Sequence, residues 1–516
     1  MQWYYAVMQL TEINTASTDP QFLPYIQHIK RLENEIEILK EQVNILLLKR
    51  FGRSSEQYDP SQQPLFTEEA EAGSPPETKN EKQEVKSYIR HKAGRKAIDP
   101  KIERREKIID IPEDEKMCAC GHGMVRIGEE TSEKLHIEQP VIYVEKTVRP
   151  KYACRHCEGT EDEGRPAVRI APVPPSIIPR SIASASLLSY IMIQKYQDHI
   201  PFHRQEAQFL RIGADVSRQD MSNWQQNVYA FLEPLYSILK KTIKTGPVMR
   251  MDETTAQVMG EEGRDDTRTS YIWLAKGGPP GKVVVLYEYR ATHEAKHAKE
   301  LLEGFSGYLQ TDGNESYDTA VKGMPGIIHV GCLAHVRRKF YEASKAAKKP
   351  QSAEEGLKFI RRLYEIENDL REKKYGGEQF LAERRELAGP VLADFYKWLN
   401  KRSNEILPSG LLGKAVGYAL NQWGKVIRYL ESPYLTPDNN ASENAIRPYV
   451  LGRKNYMFHM SPEGASSSCG MYTLIETAKQ NGVEPSKYLR ELFEKAPYAK
   501  SAEDWEKLLP WNIFNP

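Results

Sequence analysis

Three acidic residues stand where chemistry could be done: Asp252 in "PVMRMDET", Asp312 in "TDGNESYD" and Glu443 in "DNNASENAIRP". The last two stretches are unusually polar for segments beside core-type runs. Cleaving a phosphodiester calls for two divalent ions about 3.5–4 Å apart, one activating the attacking oxygen and one steadying the leaving oxygen. Such ions need several anionic ligands, and Mg²⁺ takes carboxylate oxygens together with water and substrate phosphate. Two aspartates on neighbouring strands would supply the floor, and the third carboxylate must approach from outside the sheet. Glu443 suits that task. Asp438 or Asn439 would satisfy the free N–H groups of a helix start, and Pro448 would stop or kink the helix. Arg447, one turn beyond Glu443, can balance charge or bind a phosphate oxygen. Carboxylates packed so closely would titrate as a coupled set.

Taken singly, each of these residues has a plainer reading. An Asp at a strand end is usually a turn former, and a Glu on a helix is usually solvated. Glu253, Glu315, Asp318 and Asp438 are near neighbours that could be mistaken for ligands. What favours the triad is the order of the elements that carry it. "PVMRMDET" (247–254) reads as a strand, with "TSYIWLAKGG" and "KVVVLYEY" as the next two, joined by a Gly-Pro turn. "HEAKHAKELLEGF" reads as a helix, "GYLQTDG" as a fourth strand ending at Asp312, and "GIIHVGC" as a fifth leading into the helix "LAHVRRKFYEASKAAKK". That is the order of the ribonuclease H-like fold, in which the first and fourth strands are adjacent. Cys332 and His335 read as packing at a helix start, with a metal role as the alternative. The 130 residues between Asp312 and Glu443 leave room for a helical insertion at about 333–430. After Glu443, Arg447, Arg453 and Lys454 alternate with Tyr449, Tyr456 and Phe458, a pattern suited to holding phosphates while aromatics stack or wedge bases. A core strand with solvated flanks is the bland alternative.

The N-terminal third carries different signals. Phe22, Tyr25, Ile29, Leu32, Ile36, Leu39, Val43 and Leu46 recur at alternating steps of three and four, the seam of a coiled coil. Residues 59–85 are polar, acidic and Pro/Gln-rich, and read as a disordered linker. The charge then reverses: residues 86–107 hold nine Lys or Arg against three acids. With Arg95 and Lys96 beside a glycine, this arm could enter a nucleic-acid groove. Next come "CACG" (Cys118, Cys120) and, after 33 residues, "CRHC" (Cys154, Cys157). Four thiolates complete a tetrahedral Zn²⁺ shell with no open position, so the ion would be structural. The alternating run "KLHIEQPVIYVEKTV" can fold back as strands between the pairs. The first pair is C-x-C rather than C-x-x-C, and His122 or His156 could stand in as a ligand. Residues 182–245 read as helices.

The totals set bounds. The chain has 516 residues, 28% of them charged, and a formal net charge of +1, so overall charge names no partner. No apolar run is long enough to span a membrane. "MQWYYAVMQLTE" lacks the basic lead and small-residue cleavage site of a signal peptide. Six cysteines in so long a chain form no disulfide framework, and four in two close pairs point to metal in a reducing cytoplasm.

The chain resembles the insertion-sequence transposases of family sixty-six, large bacterial DDE proteins. The resemblance rests on "KRFGRSSEQ", "CACGHGMVRIGEETSEKL…RPKYACRHC", "MDET", "QTDGNESYD", "GCLAHVRRKF", "DNNASENAIRPYVLGRKNYMF" and "LIETAKQNGVEPSKYLRELF". It spans almost the whole chain but leaves out "MQWYYAVMQLTEIN". It implies Asp252, Asp312 and Glu443 as the DDE triad, Mg²⁺ dependence, binding to terminal inverted repeats, and two small accessory proteins.

The expected architecture is a multidomain α/β chain: a ribonuclease H-like catalytic core with a helical insertion, preceded by a coiled-coil helix and a small zinc-binding module. Its expected parts are a coiled-coil helix (20–58), linker (59–85), basic arm (86–110), zinc module (111–168), helical domain (176–246), core (247–465) and helical tail (466–516). The expected function is cleavage at the element ends and transfer of the 3′-hydroxyls to target DNA, with two Mg²⁺ and one Zn²⁺. The protein would act as a homo-oligomer on double-stranded DNA at the nucleoid. A nuclease on the same fold would cut without joining, and a regulator derived from a transposase would bind without cutting.

Overall fold

The computed structural model describes residues 141–153, 168–346 and 350–514, and scattered positions between 28 and 46. The chain divides into two compact units, residues 69–149 and the remainder. Of the smaller unit, residues 141–149 are described. Residues 141–148, expected as strand, are exposed and carry no regular structure, and no strand pairs with them among the described residues.

In the larger unit, β1 (Lys151–Ala153) and β2 (Val168–Ile170) pair antiparallel. Four helices follow, α1 (Ala185–Tyr196), α2 (Phe202–Arg211), α3 (Arg218–Phe231) and α4 (Glu233–Thr242). Ser184 and Ser217 start α1 and α3 by accepting backbone N–H groups from Leu187 and Asp220, which a helix start otherwise leaves unsatisfied.

The sheet comes next: β3 (Val248–Gln257), β4 (Thr269–Gly277) and β5 (Val284–Arg290), then α5 (Ala295–Leu302), β6 (Gly307–Gln310), α6 (Glu315–Val321) and β7 (Ile327–Val330). The strands lie in the order β5-β4-β3-β6-β7. The first three are antiparallel neighbours, and β6 and β7 run parallel with β3. The fourth strand stops at Gln310, two residues short of the expected end. The Asp312 carboxylate accepts the Asn314 N–H at 3.0 Å and turns the chain there.

A helical layer follows: α7 (Leu333–Ala346), α8 (Gln351–Glu372), α9 (Gly377–Glu405) and α10 (Leu411–Val426). The chain ends with α11 (Asn440–Tyr456), α12 (Pro462–Gln480), α13 (Pro485–Lys495) and α14 (Ala502–Lys507). Proline does not stop α11. The helix runs through Pro448 for 17 residues. The carbonyl left without a donor belongs to Asn444, which is exposed, so water can satisfy it.

One apolar core joins α1–α4, the sheet and α11–α13, with Leu188, Leu235, Met251, Trp273, Leu474 and Leu492 buried in it. A second lies within the helical layer, around Phe340, Ile360, Phe395 and Val416. Strand β5 forms a sheet edge, whose unpaired N–H groups normally invite other strands. Helix α12 and the residue after it close that edge. Asn481, Thr477 and Thr473 accept the N–H groups of Val283, Val285 and Tyr287 at 3.0–3.1 Å. No helix among the described residues is long and apolar enough to cross a membrane.

Candidate active site

Strand β3 pairs with β6 through Val248–Tyr308, Met249–Leu309 and Arg250–Gln310. Carried two residues further, that register sets Asp252 alongside Asp312, just past the end of β6. A strand presents successive side chains on opposite faces, so Asp252 and Glu253 diverge.

Glu443 reaches the same place by a different route. The segment before α11 is tied down link by link. The Arg250 guanidinium donates to the Tyr434 carbonyl at 3.0 Å, and the Gln310 amide donates to the Thr436 carbonyl at 2.7 Å. Leu333 N–H donates to the Pro437 carbonyl at 2.9 Å, and Asn439 N–H to the Cys332 sulfur at 3.2 Å. Finally the Asn439 side chain donates to the Met251 carbonyl at 2.9 Å. Side chains of β3 and β6 thus fix the helix that carries Glu443. Of the two expected capping residues, Asp438 accepts the Asn440 N–H at 3.2 Å, while Asn439 makes no side-chain cap.

The helical layer anchors the far end of this segment. Arg384 is fully buried and pairs with Glu367 at 2.8 Å. It also donates to the carbonyls of Tyr429, Ser432 and Leu435. Gly313, next to Asp312, faces Tyr418 of α10 so closely that a Cβ there would collide with the tyrosine hydroxyl.

The charges meet. Burial pushes the Asp252 carboxyl up to about 8, and the charges of Glu253, Glu443 and Asp312 push the same way, against one backbone N–H from Glu253. Glu443 lies 3.8 Å from the His335 ring nitrogen Nδ1 and 3.7 Å from Arg338. Burial holds the His335 imidazole below its ordinary value, against the pull of Glu443.

The neighbouring acids have other partners. Glu253 accepts from His293 at 2.8 Å, Asn314 at 3.0 Å and the Tyr317 hydroxyl. Asp318 pairs with His329 at 2.9 Å and Lys425 at 2.7 Å. Asp438 caps α11, and Glu315 is exposed.

The basic and aromatic residues of α11 divide. Arg453 is held to β3 by its Nη1, which donates to the Thr255 carbonyl and hydroxyl and to the Thr254 hydroxyl. Lys454 is exposed, and Arg447 is half-buried. Tyr449 is fully buried, and its hydroxyl meets the His459 ring at 3.0 Å. It packs with Tyr456, whose hydroxyl is buried, so neither ring is offered to a base. The helix, expected to stop or kink at Pro448, continues through these residues and turns the two rings inward. Phe458, just past the helix, is 39% exposed. Arg95, Lys96, Cys118, Cys120, Cys154 and Cys157 lie outside the described residues.

Sequence reasoning missed His335 and Arg338 as neighbours of Glu443. Their spacing of three puts both on one face of α7, a signal present in "AHVRRKF". It read Cys332 as packing, with a metal role as the alternative. The sulfur is buried, and burial pushes the thiol up to about 12.

Comparison with known proteins now gives the class. Residues 180–467 match a model described as "Transposase IS66 family", and residues 473–511 match "IS66 C-terminal element". Residues 115–158, holding all four paired cysteines, match "zinc-finger binding domain of transposase IS66". Residues 38–106 match "Transposase C of IS166 homeodomain". These matches define a transposase.

The chain belongs to the IS66 transposase family, whose model over residues 180–467 alone covers more than half of it. Among similar proteins, the one called "Uncharacterized protein y4qI" of Sinorhizobium fredii is 32% identical, over 84% of this chain and 81% of its own. From the same organism, "Uncharacterized protein y4jD" is 30% identical over 80% of this chain and 81% of its own.

Proposed function

We propose that the protein cleaves DNA at the ends of an insertion sequence and transfers the freed 3′-hydroxyls to target DNA, with Asp252, Asp312 and Glu443 as its acidic triad. The observation that carries this reading is the convergence of three acids: the β3–β6 register sets Asp252 alongside Asp312, and the tied segment before α11 brings Glu443 to them. Burial and three neighbouring carboxylates, among them Asp312 and Glu443, disfavour the charge of Asp252. Such a cluster is costly in an ion-free chain and suits divalent cations. The strand order β5-β4-β3-β6-β7, with Asp252 and Asp312 on adjacent strands and Glu443 brought in by a later helix, supports a ribonuclease H-like core.

The donor set fits Mg²⁺: it is all oxygen at Asp252 and Asp312, and Glu443 Oε1 is buried without a hydrogen-bond partner. Bound there, Mg²⁺ would activate the attacking oxygen and offset charge on the phosphate. The chain's own groups do the rest. Asp252 and Asp312 fix the floor, and the anchored segment before α11 holds Glu443 at a set distance. Arg338, 3.7 Å from Glu443, and Arg447, one turn beyond Glu443 on α11, would meet DNA phosphate oxygens. Arg95, Lys96 and Lys454 extend that contact along the duplex. Arg453 joins them, with its Nη1 held by β3 and the rest of the guanidinium turned to DNA in this reading.

The paired cysteines hold one structural Zn²⁺, in keeping with the zinc-finger match over residues 115–158. The N-terminal helix pairs protomers, so that two element ends are held together. Ile29, Leu32, Ile36, Leu39, Val43 and Leu46 are 44–65% exposed in the single chain, which leaves an apolar stripe for a second copy. Purified protein incubated with labelled element ends and Mg²⁺ should nick them and join the 3′ ends to a second duplex. Nicking without joining would make it a nuclease, and binding without nicking would make it a regulator.

A further inference from the structure

Glu443 Oε1 and His335 Nδ1 are both buried, and neither has a hydrogen-bond partner. They face one another at 3.8 Å, too far for a hydrogen bond. Two ligands on one ion, with bonds of about 2.1 Å at a tetrahedral angle, would stand about 3.4 Å apart, and a wider angle brings them to the observed spacing. The Cys332 sulfur completes a group whose three ligand atoms lie within 4.8 Å of one another.

Burial keeps that sulfur a thiol in the ion-free chain, and a bound cation would take it as the thiolate, releasing the proton. Cys332 immediately precedes α7, where the helix start points free N–H groups. It accepts the Asn439 N–H at 3.2 Å and the His335 N–H. A cysteine that merely fills space needs no such donors. A set of one sulfur, one imidazole nitrogen and one carboxylate oxygen does not suit Mg²⁺, which takes oxygen throughout. It suits a tetrahedral thiophilic ion with its fourth position open.

We propose that Cys332, His335 and Glu443 form a binding site for a zinc-class divalent cation, beside the Asp252–Asp312 pair and sharing Glu443 with it. The binding itself rests on these three side chains. Its consequence, that zinc and Mg²⁺ compete for Glu443, rests on the catalytic reading above. Zinc at this site would occupy the Glu443 carboxylate that the catalytic reading gives to Mg²⁺, and would thereby restrain strand cleavage.

The test is a zinc titration of the full-length protein against a chromophoric chelator. Cys332→Ser and His335→Gln should each bind one zinc fewer per chain than the unsubstituted protein. Asp252→Asn should bind the full number while losing strand cleavage, which separates failure of this site from failure of the catalytic reading. Circular dichroism identifies a variant that has not folded, and His335→Gln, altering a half-buried ring, guards against loss of Cys332→Ser. Equal zinc in a folded His335→Gln and the unsubstituted protein would overturn the proposal, whatever Asp252→Asn does to cleavage.

Discussion

The side-chain amide of Asn439 donates to the carbonyl oxygen of Met251 at 2.9 Å. That one hydrogen bond ties the first turn of the Glu443 helix to the residue next to Asp252. Asn439 is 1% exposed, so water cannot take the amide's place without opening the core. Asn439→Ala should therefore cost about 1–3 kcal/mol, as removal of one partner of a buried hydrogen bond does. It should slow end cleavage more than it weakens DNA binding. Thermal melting and a nicking assay beside a gel-shift titration check both halves.

Asp252→Asn should abolish nicking and strand transfer while leaving DNA binding within a few-fold. The amide keeps the size of the carboxyl but cannot supply an anionic oxygen. Nicking at the unsubstituted rate by the folded variant would end the case for the triad.

The pH dependence of stability follows from the same residue. In Mg²⁺-free buffer the folded Asp252 carboxyl titrates at about 8, far above its ordinary value of about 3.9 in an unfolded chain. Between those values the folded state keeps a proton that the unfolded state has released. This contribution to stability is fully present below about pH 4 and is lost as pH rises through about 8. The melting temperature of the ion-free protein should thus fall, relative to Asp252→Asn, between pH 5 and pH 8.5. Millimolar Mg²⁺ should reduce the difference. A constant gap between the two melting curves across that range would contradict this.

Arg384→Met should be among the most damaging substitutions in the helical layer. It strands the Glu367 carboxylate, itself 4% exposed, and frees three carbonyls of the segment leading toward Glu443. Breaking one side of a buried pair typically costs about 3–5 kcal/mol. Glu367 keeps Arg371 at 2.7 Å, which places the loss toward the lower end. Denaturant unfolding measures it. The double change Arg384→Met with Glu367→Leu should recover part of the loss, because no charge is then left unpaired.

Leu32→Lys with Leu39→Lys should lower the solution mass of the protein, read by light scattering, without altering the melting of the sheet-containing unit. Both side chains are about half exposed in the single chain. An unchanged mass would mean that the apolar stripe joins no second copy.

Much of the sheet was legible beforehand because its strands alternate or run apolar over short lengths bounded by Gly and Pro, and such patterns are local. All five strands between residues 248 and 330 fall within one or a few residues of expectation. The ends were less legible. Asp312 lies beyond its strand because a side-chain turn, rather than composition, terminates it. Pro448 read as a stop because local rules count the lost hydrogen bond but not the water that replaces it at exposed Asn444. The aromatic and basic residues after Glu443 read as a DNA surface. A helical repeat of 3.6 instead turned Tyr449 and Tyr456 inward, and Arg453 found partners on β3.

Sequence by itself determined which acids were candidates, which strands would carry two of them, and which family the motifs resemble, since all of these depend on residue types at short spacing. Tertiary structure alone decided that Arg250, Gln310 and Asn439 hold the segment before Glu443, and that His335 and Cys332 face it. Those outcomes depend on contacts between residues separated by as many as 188 positions. No local pattern encodes them, because the energy that selects them exists only once the sheet and the helical layer have packed.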